Sequence, residues 1–285
     1  MRYSVLLVGG DRRQTFLARC MAEPGRGAAA GSRAPERVDT LAVPGLPDTA
    51  RPEPYALVIL PCPCLGAGGR LRGAGEGLPL SALAPFLGPE TRLCCGAPGA
   101  AAEALRSRCA CLFDLLEDPA VAADNARLTA EAALILAEQT LEASVADLRV
   151  AVLGWGRIGR RLAELLLAHG AMVSAAARRR ESRAEAAAAG CESCDFPELG
   201  GGFDLVCNTV PARTLTEAQL QKLGDGCVWM ELASAPGGLP DPAPEHLRLL
   251  PAGSLPGKIL PRSAAEVLFA GILRHEAGAP EDRVR

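Results

Sequence analysis

The sequence predicts an α/β protein built from two Rossmann-like, doubly wound parallel-sheet domains. Three observations predict it. Short apolar runs alternate with helix-patterned segments along the whole chain, as parallel α/β sheets require. A glycine fingerprint, Gly154-Trp155-Gly156-Arg157-Ile158-Gly159, separates one apolar run from one helix pattern. The chain, at 285 residues, is long enough for two domains with their own cores. Ligands of open α/β sheets bind beyond the carboxyl ends of the strands. The expected active site is therefore the cleft between the two domains.

The elements follow in order. Tyr3–Val8 reads as a strand, closed by the Gly9-Gly10 turn and followed by a helix from Arg12 to about Met21. Gly25 to Pro35 is a Gly/Ala/Pro-rich connection. Tyr55–Leu60 is a second strand, left by a long loop from Pro61 through Gly77. Loops of that length are usually functional or disordered. Arg92–Cys95 and Cys111–Phe113 are shorter strands, and Pro119 to Glu142 is one long helical pattern. Later strands are Arg149–Leu153, Ala171–Ala177, Phe203–Asn208, Val228–Leu232 and Leu247–Leu250. An amphipathic helix runs from Arg262 to His275, and a frayed tail is expected from Ala277. The chain is expected to divide into an N-terminal α/β domain for substrate and partner (1–120) and a connecting helix (121–145). A nucleotide-binding domain (146–262) and a C-terminal helix and tail (263–285) complete it. There is no internal repeat.

Composition narrows the function. A net charge of -3 points neither to nucleic acid nor to an anionic membrane surface. The N-terminal apolar run is too short for a signal peptide, and nothing offers the ~18 uninterrupted apolar residues of a membrane helix. A cytoplasmic protein is expected. The eleven cysteines are odd in number and come without an export signal, which argues against a disulfide framework. Cys62-x-Cys64, Cys94-Cys95 and Cys109-x-Cys111 lie in or beside apolar runs, where Cys acts as a small hydrophobe. Cys191-x-x-Cys194 has no second pair at zinc spacing, so no metal is expected. His169 precedes Gly170 at a helix end, and His246 and His275 lie outside the ligand loops, so none is expected to be catalytic.

The fingerprint carries the strongest chemistry. Strand, glycine turn and helix in this order form a dinucleotide-binding signature. Gly154 permits the tight turn, Gly156 lets the backbone approach a pyrophosphate, and Gly159 lets helix and strand pack closely. The pyrophosphate then sits on the free N–H groups at the helix start, where Trp155, Arg157 and Ile158 complete the loop. The next strand ends in Ala177-Arg178-Arg179-Arg180, with no carboxylate until Glu181. An NAD site usually places Asp or Glu there for the ribose 2′-hydroxyl. Arg178 and Arg179 instead suit a 2′-phosphate, so NADP is favoured over NAD. A solvated basic helix start in an Arg-rich chain is the competing reading. The strand-end rule also nominates loops 9–14, 61–66, 96–99, 209–213, 233–238 and 253–261. It makes Thr209, Val210, Pro211, Ala233 and Ser234 cofactor contacts. Lysine is rare, only Lys222 and Lys258, and Lys258 is expected in a Gly-Pro turn.

At these loops the sequence resembles the A subunit of dipicolinate synthase over nearly its full length. The resemblance rests on Gly9-Gly-Asp-Arg-Arg-Gln14, Asn125…Thr129-Ala-Glu131, Val152-Leu-Gly-Trp-Gly-Arg-Ile-Gly159, Asn208-Thr-Val-Pro211, Glu231-Leu-Ala-Ser234…Pro236-Gly-Gly238 and Leu255-Pro-Gly-Lys-Ile-Leu-Pro261. It implies a nicotinamide-dependent oxidoreductase with the layout of the D-2-hydroxyacid dehydrogenases, cofactor domain second. The product of dihydrodipicolinate synthase would be oxidised to pyridine-2,6-dicarboxylate during sporulation. The enzyme would work beside the flavoprotein-like B subunit of dipicolinate synthase, with a homo-oligomer left open. The Arg, Glu and His catalytic set of those dehydrogenases is not evident here. Aromatisation removes one hydride and one proton and needs no alcohol deprotonated, so the site's task is chiefly positioning a dianion. Lys258, Arg12 and Arg13 are then the expected carboxylate partners beside Asp11, with Arg262 and Arg213 behind, and Glu131 is the expected proton acceptor. Two alternatives stand beside this: an NADP-dependent oxidoreductase of another small carboxylate, and a non-catalytic NADP-binding subunit.

Overall fold

The computed structural model describes residues 3–23, 35–73, 76–99 and 103–277. The Gly/Ala/Pro-rich connection lies outside the described residues except for Pro35, as does the tail beyond Ala277. The chain divides into two compact units, Met1–Asn125 with Pro256–Arg285, and Ala126–Leu255. Each is an α/β unit around a wholly parallel sheet.

The first unit holds β1 (Ser4–Val8), α1 (Arg12–Ala22), β2 (Arg37–Leu41), β3 (Leu57–Ile59), β4 (Arg92–Cys95) and β5 (Cys111–Asp114). Its sheet order is β2-β1-β3-β4-β5. Alternation along β1 sends Val5 and Leu7 to one face and Leu6 and Val8 to the other, and all four are fully buried. Val5 and Leu7 join a core with Leu17 and Met21 of α1 and with Ala265, Leu268 and Ile272 from the C-terminal helix. Leu6 and Val8 join Val58, Leu83 and Leu93 on the opposite face. A strand buried on both faces must be apolar throughout, and the sequence of β1 is.

The long helix α2 (Pro119–Leu141) opens with proline at its first position, where the missing N–H costs no intrahelical bond. Asp118 caps it, accepting from Ala120 N at 2.8 Å. Glu142 follows it with φ of 50°, a left-handed helix stop.

The second unit holds β6 (Arg149–Leu153), α3 (Arg157–Ala168), β7 (Met172–Ala176), α4 (Arg180–Ala188), β8 (Glu192–Cys194), β9 (Leu205–Asn208), α5 (Glu217–Lys222), β10 (Val228–Glu231) and β11 (Arg248–Pro251). The sheet order β11-β10-β9-β6-β7-β8 is the doubly wound dinucleotide-binding topology. On α3, Leu162, Ala163 and Leu166 fall on one stripe and are buried. The chain then forms α6 (Leu255–Ile259) and α7 (Pro261–Ala277), the latter packing its buried face with α1.

Three features depart from expectation. β2 and β8 are strands that the apolar pattern did not announce. Both are sheet edges, where Arg37-Val-Asp-Thr-Leu41 and Glu192-Ser-Cys194 are half-solvated and need no continuous apolar run. Lys258 lies in the short helix α6 and not in a Gly-Pro turn. The segment returning to the first unit starts at Pro256, ahead of the boundary at 262, because Gly257 packs onto α1's start. All eleven cysteines are free thiols. Burial pushes Cys62 up to about 11 and Cys207 up to about 12, so neither is a reactive thiolate.

Candidate functional site

In an open α/β sheet a crevice opens where the strand order reverses. In the second unit that point lies between β6 and β9. Gly154 leaves β6 with φ of 96°, a left-handed conformation that favours glycine. A Cβ there would lie 2.7 Å from Thr209 Oγ1 and 2.7 Å from Val210 Cγ2, so the turn closes directly on the loop after β9. Thr209 seals the join, its hydroxyl donating to Leu153 O at 2.7 Å. A Cβ on Gly159 would stand 2.1 Å from Gly154 O, which explains the third glycine. Gly156 is different. A Cβ built on it meets nothing within 4 Å, so space is left on the side from which a phosphate must approach.

The first intrahelical bond of α3 runs from Arg160 N to Gly156 O at 2.9 Å. The N–H groups of Arg157, Ile158 and Gly159 ahead of it have no intrahelical partner. Trp155 is buried, with Arg160 over its ring at 5.9 Å, and its indole N–H has no acceptor among the described residues. Together, the open approach at Gly156 and the free helix start fit a dinucleotide pyrophosphate.

β7 ends without a carboxylate. Ala177 is buried, and Arg178 and Arg179 are exposed, their side chains without a hydrogen bond or ion pair among the described residues. Arg183 braces the turn, donating to Ala177 O at 3.0 Å and Arg178 O at 2.6 Å. The two flanking guanidiniums are thereby left available to an anion. Of the remaining expected contacts, Val210 is half-buried, Pro211 and Ser234 are exposed, and Ala233 is half-buried with its N–H on Glu231.

Two residues that sequence reasoning assigned no role organise this end of the sheet. Asn208 is fully buried, and its amide donates to Glu231 Oε1 at 2.7 Å and to Val210 O at 2.9 Å. Glu231 also accepts from Trp229 Nε1 at 3.1 Å, Ala233 N at 3.1 Å and Gly238 N at 2.9 Å. One carboxylate therefore shapes the loops after both β9 and β10. The available signal was a polar residue closing each of two otherwise apolar strands.

In the first unit the order reverses between β1 and β3. Gln14, buried, spans the two strand ends by donating to Val8 O and Ile59 O, both at 3.4 Å. Gly9, at φ of 55°, lies under the returning loop, where a Cβ would stand 2.2 Å from Arg72 O. The same carbonyl accepts from Gly10 N at 2.7 Å. Arg72 too had no role from sequence.

Asp11 and Arg13 form one ion pair. Arg13 Nη2 reaches Asp11 Oδ2 at 2.7 Å, and Nε reaches Oδ1 at 2.9 Å. Asp11 also caps α1 by accepting from Arg13 N at 2.9 Å. Burial pushes the Asp11 carboxyl up, but the Arg13 hydrogen bonds and charge outweigh it and hold it below its ordinary value. Asp11 caps this helix start itself, so the turn does not duplicate the nucleotide turn. Gly257 completes the cluster: a Cβ there would stand 2.4 Å from Asp11 Oδ2 and 2.6 Å from Arg13 Nε. Arg12 and Lys258 flank the cluster, exposed and without a polar partner among the described residues. Glu131, half-buried on α2, accepts from Arg127 Nη1 at 3.0 Å. The structure thus brings Asp11, Arg13 and Gly257 together in the first unit, with Arg12 and Lys258 their neighbours in sequence, and puts Glu131 in the second. Among the described residues no group of three or more His, Cys, Asp or Glu could hold a metal ion, and no helix is long and apolar enough to cross a membrane.

Residues 122–229 match the NAD binding domain of the D-isomer specific 2-hydroxyacid dehydrogenases. The dipicolinate synthase A subunit of Bacillus subtilis (strain 168) is 31% identical over 162 residues, 55% of this chain and 54% of that protein. The sequence match therefore spans about half the length of the relative. The solved structure of the same Bacillus subtilis subunit superposes with a TM-score of 0.75 at 24% identity, covering 97% of this chain and 96% of that one. The A subunit from Bacillus halodurans gives 0.80 at 22% identity, covering 98% and 99%. The two solved structures establish the two-sheet fold, and the resemblance read from the sequence holds: the chain is related to the dipicolinate synthase A subunit. Its second unit is similar to the NAD binding domain of those dehydrogenases, which supports a nicotinamide cofactor.

Proposed function

We propose that this chain is the oxidoreductase subunit that converts the dihydrodipicolinate synthase product to dipicolinate. NADP is the hydride acceptor, and a flavoprotein resembling the B subunit of dipicolinate synthase is the partner. The observation that carries the proposal is the contact of Gly257 with Asp11 and Arg13. It joins two of the segments on which the resemblance rests, and each carries an exposed cation next in sequence to the joint, Arg12 and Lys258. A small dianion is the ligand such a pair suits. NADP is supported by Arg178 and Arg179 standing where an NAD site has a carboxylate.

When bound, the nicotinamide supplies the hydride acceptor. This chain's own residues do the rest. Lys258 and Arg12 hold the two carboxylates and so fix which ring carbon presents its hydrogen. Glu131 takes the ring proton, and aromaticity of the product makes the step downhill. Starting from the hydroxylated ring, loss of water precedes the same removal of one hydride and one proton.

The test is to supply NADP and freshly generated dihydrodipicolinate synthase product, with and without a co-expressed B subunit, and to follow dipicolinate and NADPH together. Equal formation of both is expected. NADP binding without turnover in either mixture would overturn the activity.

A further inference from the structure

We propose that the Asp11–Arg13 ion pair is a seat for α6, so that Arg13 and Gly257 are positioning residues for Lys258 and not themselves substrate contacts. The inference rests on the reading of Lys258 as a carboxylate anchor and adds what holds it in place.

Arg13 is poorly suited to bind substrate directly. Its side chain is 8% exposed, and three of its N–H···O contacts go to Asp11: Nε to Oδ1 at 2.9 Å, Nε to Oδ2 at 3.2 Å and Nη2 to Oδ2 at 2.7 Å. Asp11 neutralises its charge on the spot. What this pair offers outward is a flat, fixed surface, because a guanidinium fork on a carboxylate is planar and directional.

Gly257 rests on that surface. A Cβ on it would come within 2.4 Å of Asp11 Oδ2, 2.6 Å of Arg13 Nε and 3.0 Å of Arg13 Cζ. No ordinary side chain fits those distances. The backbone at Gly257 is not in the left-handed region, so glycine is needed here for space and not for conformation. Glycine inside a helix is otherwise unfavourable. Its presence in α6 is explained by close approach to the pair, with Lys258 carried next in sequence. Arg13→Lys would keep the charge and lose the planar fork. Gly257→Ala would keep the pair's chemistry and lift α6 off it.

The experiment measures binding of pyridine-2,6-dicarboxylate by calorimetry to the full chain and to Gly257→Ala, Arg13→Lys, Lys258→Ala, and each of the first two combined with Lys258→Ala. NADP binding by each variant serves as the folding control. Gly257→Ala and Arg13→Lys should each weaken dicarboxylate binding by about tenfold. In the Lys258→Ala background they should cost almost nothing further, because they act through the absent lysine. Losses that multiply in the doubles would overturn the positioning role and leave the anchor intact. Full binding by Lys258→Ala, or none by the parent chain, would overturn the anchor and this inference with it. If Gly257→Ala fails to fold, Arg13→Lys decides by the same comparison.

Discussion

The side chains of Asn208 and Glu231 meet at 2.7 Å at the carboxyl ends of neighbouring strands, in register across β9 and β10. Glu231 satisfies four donors in all, two of them backbone N–H groups in the loop after β10. Glu231→Ala should therefore cost about 2–4 kcal/mol, since several donors lose an ionised acceptor together. It should also weaken nucleotide binding through loss of loop shape. Urea melts with an unchanged slope and a lowered midpoint would bear this out. Wild-type stability in the variant would show that the network is dispensable.

The three fingerprint glycines should separate by role. Gly159→Ala forces a Cβ to 2.1 Å from a backbone carbonyl and should destabilise the unit and abolish nucleotide binding together. Gly156→Ala meets open space, so its melting temperature should stay near that of the parent. Its NADP affinity should still fall by about tenfold or more, because the methyl occupies the phosphate approach. Calorimetry beside thermal melts distinguishes the two. Unimpaired binding by Gly156→Ala would mean the pyrophosphate does not pass there.

Arg178→Ala and Arg179→Ala test cofactor choice. A charge-assisted hydrogen bond to phosphate is worth about 1.5–3 kcal/mol, so NADP affinity should fall roughly ten- to a hundredfold. NAD affinity should barely change. Equal losses for both nucleotides would remove the 2′-phosphate argument.

The Asp11–Arg13 pair makes a pH prediction with a definite sign. The folded carboxyl titrates below its ordinary value of 3.8, so its stabilising effect is present above that value and is lost as pH falls through the folded one. Asp11→Asn should therefore be less stable than the parent at pH 7. The gap should stay constant down to about pH 5 and close below about pH 3.8. A gap that persisted in acid would show that the loss does not come from the carboxylate's charge.

Much of this was legible along the chain. Every strand buried on both faces showed as an apolar run, and the Gly154–Gly159 turn announced the second sheet's binding edge. The edge strands β2 and β8 were not legible, because a half-solvated strand has no unbroken apolar run to show. The roles of Asn208 and Glu231 were not legible for a related reason. A polar residue at a strand end looks like a loop residue until the partner strand's end is set beside it.

By itself the sequence determined the two parallel α/β units, the dinucleotide turn and the arginines that follow β7, since local pattern and glycine sterics act over a few neighbouring residues. Only the tertiary structure decided that Arg13 is bound by Asp11, that Lys258 rides a helix, and that Gly257 sits on the pair. Residues 13 and 257 stand at opposite ends of the chain, and a contact between them exists only once α6 has packed back against α1.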